Sequence, residues 1–78
     1  MTDRYEEVRS VVSDVLGLSV QNLTGDSSVE TVPEWDSLAQ VNIILSLEVA
    51  YGLAIDPADA MEMMSVDEIL AYLQKSLG

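Results

Sequence analysis

The chain has 78 residues, no cysteine and no histidine, and its 14 acidic and 3 basic residues give a formal net charge of -11. The absence of cysteine excludes a disulfide framework, a zinc-thiolate site and a cysteine nucleophile. A surface this acidic repels nucleic acid and anionic lipid, and no stretch matches a calcium-binding EF-hand loop. Hydrophobic residues make up 49% and charged residues 22%, which predicts one globular domain over residues 1–78. The negative charge has two possible roles, which are to keep the domain soluble or to attract partners with basic patches.

The amino terminus gives no sign of a signal peptide, because Met1 leads directly into the polar stretch TDRYEEVRS. No apolar run approaches the roughly 18 residues of a membrane span. We therefore expect a cytoplasmic monomer without a membrane span.

The first predicted helix covers residues 3–16. Asp3 and Glu6 form a weak capping box at its start, and Gly17 is a natural stop. The apolar stripe at helical spacing consists of Tyr5, Val8, Val12, Val15 and Leu16. Residues 18–35 have no clear period, and we expect a long loop that is held against the domain by scattered apolar residues.

The second helix is predicted over residues 37–51, with Asp36 as N-cap and Gly52 as stop. One face is predicted to belong to the core: Val41, Ile44, Leu47 and Tyr51. The opposite, small or polar side is predicted to see solvent: Ala39, Asn42 and Ser46. Along the border between the two faces lie Leu38, Leu45 and Val49. The sequence leaves two alternatives for them, contact with a partner or packing in the core.

Two further helices follow. Residues 57–63 suit a short helix with Asp56 as cap and Pro57 at the first position. Residues 66–76 form the last helix behind a capping box, and its apolar face consists of Ile69, Leu70, Leu73 and Leu77. That capping box pairs Ser65 with Glu68. The predicted fold class is an all-α four-helix bundle with three main helices, one short third helix and a long loop between the first two.

The stretch PEWDSLAQV places Ser37 at the first position of the second helix. Free N–H groups and the helix dipole there favour an attached phosphate. An ordinary capping role for Ser37 is the alternative, although Asp36 already offers a cap. Ser37 cannot act as a nucleophile unaided, since the chain has no histidine and Lys75, its only lysine, is far along the sequence. If Ser37 reacts, another protein must activate it.

WDSL at the head of an amphipathic helix, followed by LEVAYGLAI, resembles the acyl carrier proteins and the related peptidyl carrier domains. The second stretch is similar to the family pattern LE-x-x-[FY]-G-x-x-I. The resemblance implies that Ser37 carries 4'-phosphopantetheine, which a phosphopantetheinyl transferase takes from coenzyme A. It implies a carrier rather than an enzyme, holding acyl groups as thioesters for fatty-acid, polyketide or related lipid biosynthesis. Two alternatives stay open, an aminoacyl or peptidyl carrier and an unmodified acidic module that docks on proteins.

The resemblance also implies roles for neighbouring residues. Recognition by partners falls on Asp36, Leu38, Leu45, Glu48 and Val49. A cavity for the acyl chain is assigned to Val41, Tyr51, Ile55, Met61 and Met64, against ordinary core filling by these residues and Met63. Trp35 is expected to pack the loop on the bundle, with an exposed partner contact as the alternative.

The second helix departs from the family pattern in its charge. Well-known members of the family have acids where this chain has Ala39, Asn42, Val49 and Ala50, and only Glu48 stays acidic after Asp36. The implied partners are a loading enzyme and a downstream synthase or transferase with a basic docking patch. Fewer acids weaken attraction to such a patch, so we expect a carrier for a specialised pathway rather than the housekeeping fatty-acid carrier.

Overall fold

A computed structural model describes residues 3–77 of the chain. The α-helices are α1 (Arg4–Leu16), α2 (Ser37–Tyr51), α3 (Pro57–Ala60) and α4 (Val66–Leu77), and a 3-10 helix covers Val20–Asn22. Residues 3–77 contain no strand, only a single bridge between Ser28 and Ser65. The predicted all-α class, with three main helices and a short third one, is confirmed.

The ends of α1 follow from the predicted signals. The Asp3 carboxylate accepts a hydrogen bond from the Glu6 N–H at 2.9 Å, as an N-cap does. Gly17 has φ of 70° and donates its N–H to the Ser13 carbonyl, so a residue without Cβ ends the helix in the left-handed region. Val8 and Val12 are fully buried, which confirms the centre of the predicted stripe.

The bounds of α2 are those predicted, with Asp36 as N-cap and Gly52 at φ 65° as stop. The predicted core face is wrong in part. Ile44 and Leu47 are buried, but Val41 is 54% exposed, while Ala39, expected in solvent, is 9% exposed. Apolar side chains surround this helix almost completely, so its periodicity could not select one face. Packing selects it instead, and Ile43 points to the centre of the core.

The segment between α1 and α2 is held down over its whole length, as expected. Leu23 and Trp35 are buried, so the loop contributes two large side chains to the core. The Arg9 guanidinium of α1 donates to the Leu23 carbonyl at 2.9 Å and to the Val20 carbonyl at 2.7 Å. Backbone bonds join the second half of the loop to the start of α4, from Val66 N–H to the Ser27 carbonyl among others. The alternative of an exposed Trp35 is wrong, because its ring is 1% exposed.

The third helix is shorter than predicted and ends at Ala60. Beyond it, Glu62 N–H and Met63 N–H bond to carbonyls three residues back, which tightens the chain and turns Met63 into the core. Asp56 occupies the N-cap position without a side-chain capping bond. Helical periodicity could not indicate this early end, because the turn depends on packing with α2.

The last helix begins behind a modified capping box. The Ser65 hydroxyl accepts from the Glu68 N–H at 3.1 Å, and the Glu68 carboxylate accepts from the Met64 N–H, one residue earlier than the standard box. Ile69 and Leu73 are fully buried, whereas Leu77 is 38% exposed. Helix α1 packs against both α2 and α4, which places the core among the three long helices.

Within residues 3–77 no helix is long and apolar enough to cross a membrane. The same residues form no group of acidic side chains that could hold a metal ion.

Candidate functional site

Ser37 is the first residue of α2 and is exposed. The capping role belongs to Asp36, whose carboxylate accepts the Ala39 N–H at 2.9 Å. The Asp36 carbonyl accepts the Gln40 N–H, also at 2.9 Å. No hydrogen bond to another described side chain or backbone group engages the Ser37 hydroxyl. The hydroxyl is thus available for reaction, and the helix does not depend on it.

The N–H groups of Ser37 and Leu38 donate to no partner among the described residues. Unpaired N–H groups at a helix start, together with the helix dipole, form an environment that suits phosphate oxygens. The first turn of α2 carries no acidic residue, and the one carboxylate beside Ser37 is that of the N-cap Asp36, which is bonded to the Ala39 N–H.

Buried hydrogen bonds of the Gln40 side chain hold the loop that leads to Ser37. The indole N–H of Trp35 donates to the Gln40 side-chain oxygen at 2.7 Å. The Gln40 side-chain nitrogen donates to the Ala60 carbonyl at 3.2 Å and to the Met63 carbonyl at 3.0 Å. One side chain of α2 therefore joins the loop before Ser37 to the segment after α3. Gln40 was not predicted from the sequence. The available signal was a glutamine in an apolar helix, five residues after the single tryptophan.

A recess of about 410 Å³ lies directly beside Ser37. Its walls come from the loop, the start of α2 and the segment before α4: Val29, Trp35, Asp36, Ser37, Gln40 and Met64. An exposed hydroxyl at a helix start with a recess at its side fits a phosphodiester-linked group with a slender arm.

A second, more apolar groove of about 300 Å³ lies between α2 and the segment that contains α3. Its lining consists of Gln40, Val41, Ile44, Leu45, Glu48, Ile55, Pro57, Ala60, Met61 and Met64. Val41, Ile55, Met61 and Met64 of the predicted cavity are therefore brought together, and Tyr51 is not among them. Gln40 and Met64 line both the groove and the recess beside Ser37, so the two are neighbours.

Tyr51 lies instead at the contact between α1 and the end of α2. Its hydroxyl donates to the Glu7 carboxylate at 2.8 Å, and the Arg4 guanidinium sits 5.6 Å from its ring centroid. Burial, aided by the hydrogen bond to Glu7, raises the pKa of the Tyr51 hydroxyl to about 12, from an ordinary value of 10.0.

The raised pKa of Tyr51 predicts a pH dependence of stability. Since the folded state binds the phenol proton more tightly, this contribution is fully present below pH 10.0 and is lost as the pH rises through about 12. We expect the stability difference between wild type and Tyr51→Phe to be constant up to pH 10.0 and then to shrink. Urea unfolding at several pH values, with an absorbance titration of both proteins, measures it. If the absorbance difference between wild type and Tyr51→Phe titrated with the ordinary pKa of 10.0, the result would contradict the account.

The residues expected to meet partners divide into two groups. Leu38, Leu45 and Val49 are 71%, 53% and 86% exposed, a long apolar strip along α2. Glu48 is half-buried, and its carboxylate accepts the Ile55 N–H at 2.8 Å. The single acidic residue of α2 is therefore already hydrogen-bonded within the protein, and the exposed strip beside it carries no charge.

Most of the chain is similar to known carrier proteins. A family model described as "Phosphopantetheine attachment site" matches residues 6–73. The chain is similar to an acyl carrier protein of Thermotoga maritima, 28% identical over 95% of this chain and 91% of that one. It is 32% identical to an acyl carrier protein of Rhodococcus erythropolis, over 88% of this chain and 76% of that one. Among solved structures, a holo acyl carrier protein of Nitrosomonas europaea superposes with a TM-score of 0.79 at 28% identity, covering 97% and 98% of the two chains.

Proposed function

The chain belongs to the acyl carrier protein family, and from that premise we propose that Ser37 carries a 4'-phosphopantetheine arm donated by coenzyme A. The observation that carries the proposal is the exposed Ser37 hydroxyl, which is free of the capping role at the start of α2. When attached, the arm supplies a thiol that holds acyl cargo as a thioester. Residues 1–78 form one carrier domain in this proposal.

The attachment is a phosphoryl transfer in which the chain supplies the acceptor oxygen. The bond from the Ser37 oxygen to phosphorus forms while the pyrophosphate bond of coenzyme A breaks. Adenosine 3',5'-bisphosphate leaves, and the hydroxyl proton passes to a base of the phosphopantetheinyl transferase, since this chain has no histidine. The N–H groups of Ser37 and Leu38 stabilise the resulting phosphodiester.

Intact-mass spectrometry tests the attachment. After incubation with coenzyme A and a broad-specificity transferase, we expect wild type to gain one phosphopantetheine group and Ser37→Ala to gain none. Ser10→Ala, which removes an exposed hydroxyl from α1, is the matched control and should gain the group. No gain by wild type with several transferases would favour the alternative, an unmodified acidic docking module.

The apolar groove beside α2 is the proposed shelter for an acyl chain. Three properties support this use: the groove adjoins the recess at Ser37, its volume is about 300 Å³, and its lining is mostly apolar. Met61 and Met64 give one wall the adaptable, unbranched side chains that accept chains of varied shape. Tyr51 is left out of this proposal because it contacts Glu7 instead.

Recognition by partners is proposed for the α2 strip of Leu38, Leu45 and Val49, together with Asp36 at its start. Glu48 has a lesser part, because Ile55 already occupies one of its oxygens. Because Leu38, Leu45 and Val49 carry no charge, this strip suits the apolar docking surface of a dedicated partner better than a strongly basic patch. This supports a carrier for a specialised pathway over the housekeeping fatty-acid carrier.

Restoring acids to α2 tests the choice of partner. With a housekeeping ketosynthase system, we expect wild type to react poorly and to respond little to salt. Asn42→Glu, Val49→Glu and Ala50→Glu together should raise kcat/KM by about tenfold at low salt, because charge steers association. The matched control adds three acids elsewhere, through Gln21→Glu, Gln74→Glu and Ser76→Glu. Efficient turnover of wild type, comparable with that of the housekeeping carrier, would contradict the specialised assignment. Ala39, whose side chain is buried, stays unchanged.

A further inference from the structure

The apolar groove beside α2 is bounded at each end by a side chain that bonds to the backbone opposite. At the end near Ser37, Gln40 donates to the Ala60 and Met63 carbonyls at 3.2 and 3.0 Å. At the far end, the Glu48 carboxylate accepts the Ile55 N–H at 2.8 Å. Both of these α2 side chains also line the groove. The helix and the facing segment are thus joined at two points, with the apolar walls between them.

From this arrangement we infer that Glu48 determines specificity for chain length, because its bond to Ile55 closes the far end of the groove. The inference rests on the proposed function, since the chain in question is the acyl group carried through Ser37. It concerns the length of the cargo and not the fact of attachment.

The spacing of Gln40 and Glu48 along α2 gives the length of the groove. Gln40 and Glu48 are eight residues apart in α2, and at 1.5 Å of rise per residue they bound a groove about 12 Å long. An extended apolar chain of that length, a medium-length acyl group, fills the groove. A longer chain has to leave its tail in water, which adds no burial, or break the bond between Glu48 and Ile55, and the loss of that bond offsets the added burial.

The chemistry of position 48 provides the decisive variants. Glu48→Ala removes the acceptor and opens the far end. Glu48→Gln retains a side-chain oxygen that accepts the Ile55 N–H while removing the charge. Glu62→Ala, at an exposed acid outside the groove lining, is the matched control.

The experiment loads acyl groups of increasing length from acyl-coenzyme A with a broad-specificity transferase, and intact mass verifies loading. The Tm of each loaded protein is then measured. In wild type we expect Tm to rise by about 3 °C per added methylene and to stop rising once the groove is full. In Glu48→Ala the rise should continue to longer chains, while Glu48→Gln and Glu62→Ala stop at the wild-type length.

A second measurement needs no variant. In wild type, the chemical shift of the Ile55 amide should change with chain length and stop changing at the same length as Tm. The inference is overturned if Tm is independent of chain length, if Glu48→Ala stops at the wild-type length, or if Glu48→Gln behaves as Glu48→Ala does. Failure of loading is seen earlier, by mass, and overturns the proposed function itself.

Discussion

Replacing Gln40 with leucine is expected to lower the free energy of unfolding by about 4 kcal/mol, a large fraction of the total for a domain this small. The substitution keeps the size of the side chain but removes the partner of the Trp35 indole N–H and of the Met63 carbonyl. The Ala60 carbonyl loses one of two bonds, because it also accepts the Met63 N–H. Each buried polar group left unpaired costs roughly 1–3 kcal/mol. Urea unfolding followed by circular dichroism measures the loss, and the fluorescence of the single tryptophan reports exposure of Trp35.

The matched control for Gln40 is Gln74→Leu. Gln74 is an exposed glutamine on α4, so its replacement should change the stability by no more than about 0.5 kcal/mol. If Gln40→Leu lowered the free energy of unfolding by less than about 1 kcal/mol, the Gln40 hydrogen bonds would not be what holds the loop and the α3 segment together.

Replacing Trp35 with alanine is expected to cost about 4 kcal/mol as well, for a different reason. Trp35 is the largest side chain of the core and is 1% exposed, so its removal leaves a cavity between the loop and α2. The variant also leaves the Gln40 oxygen without its donor. Circular dichroism during urea unfolding is the suitable measurement, since the variant has no tryptophan to follow.

Trp35→Phe separates the two contributions at this position. It keeps most of the apolar volume but lacks the indole N–H, so we expect an intermediate loss of about 2 kcal/mol. Equal losses in the phenylalanine and alanine variants would mean that the hydrogen bond to Gln40, and not the packing of the ring, dominates. A loss below about 1 kcal/mol in Trp35→Ala would contradict the burial of this side chain.

These two residues explain how the proposed attachment site is held. Trp35 immediately precedes Asp36 and Ser37, so the position of its ring determines how the chain enters α2. Gln40 then links that ring to the segment after α3, which forms the far wall of the groove. The same buried bonds therefore fix both the serine and the groove that adjoins it.

The sequence predicted the ends of the three long helices well, because local chemistry determines them. Asp3, Asp36 and Ser65 accept N–H bonds at the starts of their helices, and Gly17 and Gly52 end theirs with positive φ. Such signals depend on a few neighbouring residues, and they need no knowledge of the tertiary fold.

The orientation of α2 could not be predicted in the same way. Val41 and Ile43 both have apolar side chains, yet Ile43 is buried and Val41 is 54% exposed. What decides between them is the buried contact of Gln40 with Trp35 and the α3 segment, which joins residues far apart in sequence. The bond from Glu48 to Ile55, and with it the far end of the groove, was not predicted either, because it joins the helix to the segment that turns back after the C-cap Gly52.

The most direct test of the central claim is to map the modification on the protein purified from cells that produce it. Proteolysis and tandem mass spectrometry of the peptide containing Ser37 locate any attached group on a single residue. The account predicts phosphopantetheine on Ser37, with or without cargo on its thiol. A group attached to a different serine, or an unmodified Ser37 in cells with an active transferase, would contradict it.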